Sequence, residues 1–470
     1  MILVLGAGLT GLSTAYHLGD RPGGAPPYRL VERDAEPGGL ARSVDADGFV
    51  FDFTGHLLHL RDDGIRALVA RLVPDGFERH ARRAFVFSKG VLTPYPFQAN
   101  TYGLPADVVR ECVEGFVQTL IEEARYGKAG AGGRARAGAS RAEAGATAPV
   151  AGSARAADAS PSFHDWVLRT FGAGIARHFM FPYNEKLWQR DLREVTTDWV
   201  AWSIPKPALR DVLAGALGRS ETAFGYNPQF LYPRADGIRL LPRAFLPHVR
   251  PPELGKRAVA VDLVRRTVRF ADGETAGYRT LVSTIPLPEL IAMAAPVPDA
   301  LRDAASRLDY VSVCNANVGL EGASVPDAHW IYFPEPAFPF YRMGIPSNLS
   351  RGIVPPGAVA LSFEASYRRG RAPGADFEEA ALAAAEAAGL VRGPYRRLTG
   401  RTLHIEYGYV VFDEHRRRHL PALLEFLSAH GVVSTGRYGA WEYSSMEDAI
   451  RHGREAAAVA AAGGPAAARR

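Results

Sequence analysis

The alternation of apolar and polar residues predicts how the chain begins. Residues 2–5 are a short apolar run, typical of a buried strand, and a glycine turn and an amphipathic stretch follow them. A second short strand, YRLVERD, occupies residues 28–34. The order strand, turn, helix and strand is the usual opening of an open sheet with helices packed on its faces.

Helical periodicity dominates from about residue 105. The segments DVVRECVEGFVQTLIEEARYG and SFHDWVLRTFGAGIARHFM predict helices of a domain spanning residues 101–224. Between them, residues 128–160 are almost entirely Ala, Gly, Arg and Ser. Because this composition offers few side chains for a core, we expect a disordered insertion within the helical domain.

Strand-like alternation characterises much of the second half. Residues 256–286, 311–365 and 400–412 predict strands, and an Ala-rich helix is expected near residues 377–391. The chain closes with an apolar strand, a loop and a helix, so it returns to the first domain. We expect an antiparallel-sheet domain at 301–424, and a first domain built from 1–95, 225–300 and 425–465, with 46–100 partly on the substrate side.

Composition narrows the class of protein. Of the 470 residues 47% are apolar, and the formal net charge is +5. Cys112 and Cys314 are far apart, so neither a disulfide framework nor a metal site is expected. No leader precedes the first strand and no apolar run reaches about 18 residues, so we expect a cytoplasmic protein with no membrane partner. The arginines at 416–418 fall on a predicted helix, which indicates a solvated face and no nucleic-acid partner.

The first glycine turn has the spacing of a dinucleotide site. In VLGAGLTGLSTAYHL, Gly6, Gly8 and Gly11 form GxGxxG directly after a strand and at the start of a helix. This spacing permits a tight turn, close approach of a pyrophosphate and close packing of helix on strand. Glu32 ends the second strand, twenty-one residues after Gly11, where a carboxylate can accept hydrogen bonds from ribose hydroxyls.

The next stretch, RDAEPGGLARS, resembles the double-glycine continuation of the FAD-dependent amine oxidase and protoporphyrinogen oxidase superfamily. The C-terminal GRYGAWEYSSMEDAI resembles its second flavin segment. The resemblance implies FAD as cofactor, and it implies flavin-binding roles for Arg33, Gly38, Gly39, Leu40, Arg42, Ser43, Arg437 and Met446. The expected fold is α/β, α+β overall: a Rossmann-type FAD-binding domain, discontinuous in sequence, with a helical domain and an antiparallel-sheet substrate domain.

Several further strings, in this order and spacing, resemble UDP-galactopyranose mutase, more closely its eukaryotic-type branch. They include GFVFDFTGHLLHL, TPYPFQANTYGLP, FMFPYNEKLW and HWIYFPEPAFPFYR. The resemblance implies an isomerase whose reduced flavin acts as a nucleophile and interconverts pyranose and furanose forms of a nucleotide-linked sugar, without net redox change. It also implies NAD(P)H or another reductant that reduces the flavin, and it is compatible with a homo-oligomer.

The same resemblance assigns the substrate site. His56 matches the histidine on the mobile loop beside the flavin, and Arg342 matches the arginine that stabilises the diphosphate leaving group, a task that suits a permanently charged guanidinium. Other matching positions are aromatic or polar groups that would line the sugar, phosphate and uridine: Tyr95, Gln98, Asn184, Trp330, Tyr332, Tyr409 and Tyr443. Aromatic residues at alternate strand positions are also typical of a core.

Two positions depart from the family pattern. Phe181 stands where the family has a second phosphate-binding arginine, and Glu447 replaces an expected asparagine near the phosphates. Either Arg190, Arg193 or Arg210 binds the phosphates, or the substrate is not a sugar diphosphonucleotide. An FAD-dependent oxidase or dehydrogenase of the same superfamily therefore remains an alternative.

Overall fold

The computed structural model describes residues 1–19, 26–126, 161–200, 204–219 and 228–464, so the insertion expected at 128–160 lies outside the described residues. The strands are β1 (Ile2–Leu5), β2 (Tyr28–Val31), β3 (Ser43–Ala46), β4 (Phe49–Asp52), β5 (Phe77–Ala81), β6 (Ala84–Ser88), β7 (Val91–Pro94), β8 (Gln229–Pro233), β9 (Ala258–Asp262), β10 (Thr267–Phe270), β11 (Thr275–Gly277), β12 (Thr280–Ser283), β13 (Ala294–Ala295), β14 (Tyr310–Glu321), β15 (Trp330–Tyr332), β16 (Arg342–Gly344), β17 (Ala358–Tyr367), β18 (Arg396–Val410) and β19 (Val432–Ser434). The helices are α1 (Leu9–Gly19), α2 (Asp63–Leu72), α3 (Ala106–Tyr126), α4 (Phe163–Ile175), α5 (Phe181–Trp188), α6 (Leu209–Ala216), α7 (Leu240–Phe245), α8 (Leu287–Met293), α9 (Asp299–Ser306), α10 (Phe377–Ala387), α11 (Glu414–Ala429), α12 (Gly436–Gly439) and α13 (Met446–Ala461). Among the described residues, no helix combines the length and the apolar character needed to cross a membrane.

A parallel four-stranded sheet carries the N-terminal glycine turn. Its strand order is β19-β12-β1-β2, and the strands come from three distant stretches of the chain. Both faces of β1 are covered, because Ile2 and Val4 join one core cluster while Leu3 and Leu5 join another. A strand buried on both faces is apolar throughout, which explains the continuous run at residues 2–5.

A seven-stranded mixed sheet forms the second layer, in the order β18-β14-β17-β16-β15-β6-β7. Strands β14, β17 and β18 pair over long antiparallel ladders, and β15 pairs in parallel with β6. Strands β6 and β7 join this sheet, and both lie in the stretch 46–100 that was expected partly on the substrate side. The boundary expected at residue 424 falls inside α11, which continues to Ala429. The expected fold class, with parallel and antiparallel sheets and helices, is confirmed.

The segment predicted as one helix at residues 162–180 is broken in the structure. Gly172 has φ +77° inside α4, and a π-helical turn at Ala176–Met180 leads into α5. A Cβ on Gly172 would lie 2.1 Å from the carbonyl oxygen of Gly115, so the close crossing of α3 and α4 requires glycine there. The break directs α5 toward the seven-stranded sheet.

Candidate active site

The β1–α1 turn forms a cradle that only glycine permits. A Cβ on Gly11 would lie 1.8 Å from the Gly6 carbonyl oxygen, and one on Gly39 would lie 3.2 Å from the Gly8 Cα. The Gly38 N–H donates to Ala7 at 2.8 Å, which holds the double glycine against the turn. The helix N-terminus beside this turn favours a phosphate.

Glu32 is placed to hold a ribose. Its buried carboxylate accepts from the Ala7 N–H at 2.7 Å through Oε2 and from the Asp34 N–H at 3.0 Å through Oε1. An ionised carboxylate accepts about four hydrogen bonds, so each oxygen keeps capacity for a ribose hydroxyl.

The residues after Glu32 hold the double-glycine loop. Arg42 donates to the Gly39 carbonyl at 2.8 Å and pairs with Asp34 at 3.0 Å. Arg33 is half-exposed, its guanidinium 3.7 Å from Glu289, and Leu40 is partly buried. The Ser43 hydroxyl donates to Asp52 at 2.6 Å, within the β3–β4 hairpin.

Arg437 is a partly buried cation of the C-terminal segment. Its Nη1 and Nη2 donate to the carbonyls of Ser444 at 2.8 Å and Gly408 at 3.1 Å, and its guanidinium lies 4.5 Å from the ring centre of Tyr443. Its Nε is buried and has no hydrogen-bond partner in the part of the chain that the structure describes. Met446 is the first residue of α13, and a capping box between Ser445 and Asp448 closes the N-terminus of this helix.

These groups fit a flavin dinucleotide. The glycine cradle leaves room where side chains would intrude, Glu32 supplies acceptors, and the Nε of Arg437 is an unsatisfied donor. Placing polar donors and acceptors in a concave, otherwise apolar site is the usual way to bind a cofactor.

Arg342 is paired with a buried carboxylate that the sequence reasoning missed. Its Nη2 lies 2.6 and 2.7 Å from the two oxygens of Glu364, and its Nε lies 3.1 Å from Oε1. The Tyr341 hydroxyl donates to the same carboxylate at 2.8 Å. Burial alone would lower the pKa of Arg342, but Glu364 and the neighbouring tyrosines hold it well above its usual value.

His56 lies on the loop after β4, next to this pair. Its Nδ1 is 3.1 Å from the Thr54 carbonyl oxygen, and the Gly55 N–H donates to Glu364 at 3.3 Å. Burial lowers the pKa of His56 to about 4, so the imidazole is neutral at neutral pH. Because a carbonyl only accepts, Nδ1 carries the proton and Nε2 is left as an acceptor.

An aromatic cavity of 140 Å³ lies beside the pair. Asn184 donates to the Met180 carbonyl at 2.7 Å, and the amide nitrogen of Gln98 donates to the Pro205 carbonyl at 2.8 Å. The buried side-chain oxygen of Gln98 has no hydrogen-bond partner among the described residues. The sequence-predicted residues that line the cavity are Tyr95, Gln98, Asn184 and Tyr332, joined by Phe179, Met180, Tyr183, Leu187, Trp199 and Ile204.

Three other aromatic residues that were predicted for the substrate site do not line the aromatic cavity: Tyr409, Tyr443 and Trp330. Tyr409 and Tyr443 stack 6.0 Å apart with their planes inclined by 5°, and Arg437 lies over both rings. Trp330 packs against Phe230 at 5.9 Å and is not part of the cavity wall.

Phe181 and Glu447, the two positions that depart from the family pattern, also lie outside the lining of the aromatic cavity. Phe181 stacks on His164 at 4.6 Å and does not line the cavity. The Glu447 carboxylate accepts from the N–H groups of Arg61 at 2.5 Å and Asp62 at 2.7 Å, so it holds the start of α2.

The arginines expected as substitute phosphate ligands are paired with carboxylates. Arg190 lies 2.7 Å from Asp309, Arg193 lies 3.5 Å from Asp191, and Arg210 lies 3.6 Å from Asp211. None of these arginines lines the aromatic cavity, whereas Arg82, which the sequence reasoning missed, lies 5.1 Å from the ring centre of Tyr95. Arg82 lies in the connection between β5 and β6, which pair in different sheets, and no local pattern indicates that arrangement.

Comparison with known proteins agrees with this geometry. A family model described as flavin containing amine oxidoreductase matches residues 9–461. The chain is similar to a crystal structure of reduced UDP-galactopyranose mutase, with 26% identity and a TM-score of 0.85 over 98% of this chain and 93% of that chain. A putative protoporphyrinogen oxidase from an Exiguobacterium species shares the fold, with 14% identity and a TM-score of 0.67 over 97% of both chains. A redesigned putrescine oxidase also shares the fold, with 13% identity and a TM-score of 0.60 over 97% of this chain and 98% of that chain. The chain belongs to the flavin-containing amine oxidoreductases and is an FAD-dependent enzyme of that superfamily.

Proposed function

We propose that this enzyme is a UDP-galactopyranose mutase-like isomerase that interconverts pyranose and furanose forms of a nucleotide-linked sugar. Arg342 carries the proposal, because a partly buried cation placed opposite Tyr332 and close to Tyr409 suits a sugar with an anionic leaving group. Hydride removal from an amine requires no such cation. The 26% identity to the mutase over 98% of the chain supports the same reading.

Each residue has a role that follows from its contacts. Glu364 engages Nε and Nη2 of Arg342, so the N–H groups of Nη1 are the ones suited to a leaving phosphate. The aromatic cavity would take the nucleobase, with the unpaired oxygen of Gln98 accepting from a base N–H. The neutral His56 offers Nε2 as a proton acceptor beside the flavin. FAD, when bound in its reduced form, supplies nucleophilic chemistry without net oxidation of the sugar.

The test is an anaerobic incubation of dithionite-reduced enzyme with UDP-galactopyranose and a panel of other nucleotide sugars. We expect a product of unchanged mass and altered ring size, visible by chromatography and NMR, and no product with oxidised flavin. NAD(P)H is expected to replace dithionite as the reductant.

An oxidase is the second candidate, and it is favoured by Phe181, which packs on His164 where the family has a cation. Oxygen consumption with peroxide release from an amine, together with no isomerisation of any nucleotide sugar, would establish the oxidase and reject the mutase proposal.

A further inference from the structure

A second cavity lies at the C-terminal end of β17 and shares no lining residue with the aromatic cavity. Its volume is 380 Å³, against 140 Å³ for the aromatic cavity. Its walls include Gln189, Ser366, Arg368, Arg371 and Phe377. A concave site with a few convergent polar groups is the usual form of a small-molecule site.

The surface cavity contains two arginines that form no ion pair among the described residues. Neither Arg368 nor Arg371 pairs with a carboxylate among the described residues. The Nε of Arg368 donates to the Gln189 carbonyl at 2.7 Å, which fixes the side chain and leaves its Nη groups available. Ser366 is 7% exposed, and its buried hydroxyl has no hydrogen-bond partner among the described residues, so an unsatisfied polar group belongs to a residue of the cavity wall.

Neighbouring carboxylates do not neutralise these arginines. Glu364, two residues before Ser366 on β17, is taken by Arg342. Glu378, next to Phe377 on α10, is paired with Arg397. Asp376, the residue before Phe377, is exposed and forms no ion pair with either arginine, so both arginines keep a charge that a ligand can balance.

Apolar rings complete the cavity. Phe377 is buried at the start of α10, and Pro339 and Pro373 contribute further ring surface. We propose that this surface cavity binds a small organic anion, in which a phosphate or carboxylate group faces Arg368, Arg371 and Ser366 while an apolar body packs on Phe377. Planar guanidinium groups suit either head group because both accept paired hydrogen bonds.

The experiment is calorimetric titration of the flavin-loaded full chain with phenyl phosphate, benzoate and inorganic phosphate. We expect at least one of the two aromatic anions to bind, and inorganic phosphate to bind about tenfold more weakly because it lacks an apolar body. Arg368→Gln and Arg371→Gln should each weaken binding about tenfold. Ser366→Ala should weaken binding about threefold while leaving the unfolding temperature unchanged, because the hydroxyl has no protein partner to lose.

Arg369→Gln is the matched control, since it removes the same charge from the same turn outside the cavity lining, and it should leave the affinity unchanged. The Arg342→Ala variant separates this site from the active site, and the aromatic anion should still bind to it. The proposal is overturned if no anion binds at about 10 mM, if Arg369→Gln weakens binding as much as Arg368→Gln, or if binding is lost with Arg342→Ala and kept with Arg368→Gln. These outcomes do not depend on whether the enzyme isomerises sugars.

Discussion

At the scale of the residue, Glu364 determines how Arg342 can act. The carboxylate is 1% exposed and accepts from the guanidinium, from Tyr341 and from Gly55. The resemblance to the mutases indicated Arg342 but not its partner, because Glu364 lies inside the apolar strand AVALSFEASY. Only the antiparallel register of β16 and β17 places the two side chains opposite each other.

Glu364→Gln is expected to tighten UDP binding and to weaken the fold. Without the carboxylate, the charge of Arg342 is no longer balanced, so a diphosphate should bind about tenfold more tightly. Breaking a buried pair costs about 3–5 kcal/mol of unfolding free energy. Titration of UDP followed by flavin absorbance, with urea unfolding in parallel, measures both effects.

Glu321→Gln is the control for this prediction. It breaks the exposed ion pair with Arg396. We expect it to lower the unfolding free energy by about 0–1 kcal/mol and to leave the affinity for UDP unchanged. A Glu364→Gln protein that loses stability but binds UDP no more tightly would contradict the role of Arg342 in anion binding.

Gly11→Ala is expected to abolish flavin retention. Its Cβ would lie 1.8 Å from the Gly6 carbonyl oxygen, so the turn that faces the pyrophosphate must move. Gly19→Ala, at the end of the same helix, meets no atom within 4 Å and should retain a full complement of flavin. The ratio of visible to ultraviolet absorbance measures the flavin content of each purified protein. Equal ratios in the two variants would mean that the pyrophosphate does not bind at the β1–α1 turn.

At the scale of the element, α5 shows how one short helix serves two purposes. Tyr183 and Asn184 line the aromatic cavity and belong to FMFPYNEKLW, one of the strings that resemble the mutase. Lys186 instead reaches the loop between β15 and β16, donating to the carbonyls of Phe333 at 2.9 Å, Glu335 at 3.1 Å and Phe340 at 2.5 Å. Sequence could not predict these bonds, because their acceptors are main-chain groups that carry no residue signal.

Lys186→Met is expected to loosen the loop that precedes Arg342. Burial lowers the pKa of the ammonium to about 8, so it still carries three N–H groups at neutral pH, and methionine supplies none. Hydrogen exchange of the amides at residues 333–342 should accelerate, with weaker UDP binding as the consequence. Lys89→Met removes an exposed lysine that contacts Glu335 of the same loop and should change neither. Uniform acceleration across the whole chain would instead indicate general destabilisation.

The β3–β4 hairpin gives a prediction of pH dependence. Asp52 accepts from Ser43, Ile238 and Tyr232, and burial raises its pKa to about 6 from the usual 3.8. Between these values the folded state holds the proton and the unfolded state releases it, so stability falls as the pH rises from about 4 to 6. Asp52→Asn removes this dependence, and the difference in unfolding free energy between the two proteins should change by up to about 3 kcal/mol over that range. If urea unfolding gives the same difference in unfolding free energy between the two proteins at both ends of this pH range, the raised pKa of Asp52 is refuted.

At the scale of the whole molecule, the flavin site joins stretches of chain that are far apart. The glycine turn, Glu32 with the double glycine, and the segment from Arg437 to Met446 meet around one parallel sheet. A local pattern predicted the glycine turn and Glu32, whereas the family resemblance indicated the double glycine and the C-terminal segment. Residues 46–100 were expected partly on the substrate side, but the pairing of β6 with β15 was not predicted, because alternation shows that a strand has a buried face but not which strand it pairs with.

FAD should therefore stabilise the whole chain, and more strongly than FMN does. A ligand that binds only the folded state adds about 2.7 kcal/mol at roughly 100 times its dissociation constant, and here it would link three distant stretches at once. FMN lacks the adenosine half, so it cannot use Glu32 or the pyrophosphate turn and should raise the unfolding temperature of the apoprotein much less than FAD at equal concentration. Thermal unfolding of apoprotein with FAD, with FMN, and with FMN plus AMP makes the comparison, and Gly11→Ala should abolish the extra shift given by FAD. Equal shifts with FAD and FMN would mean that the β1–α1 turn and Glu32 do not bind the dinucleotide.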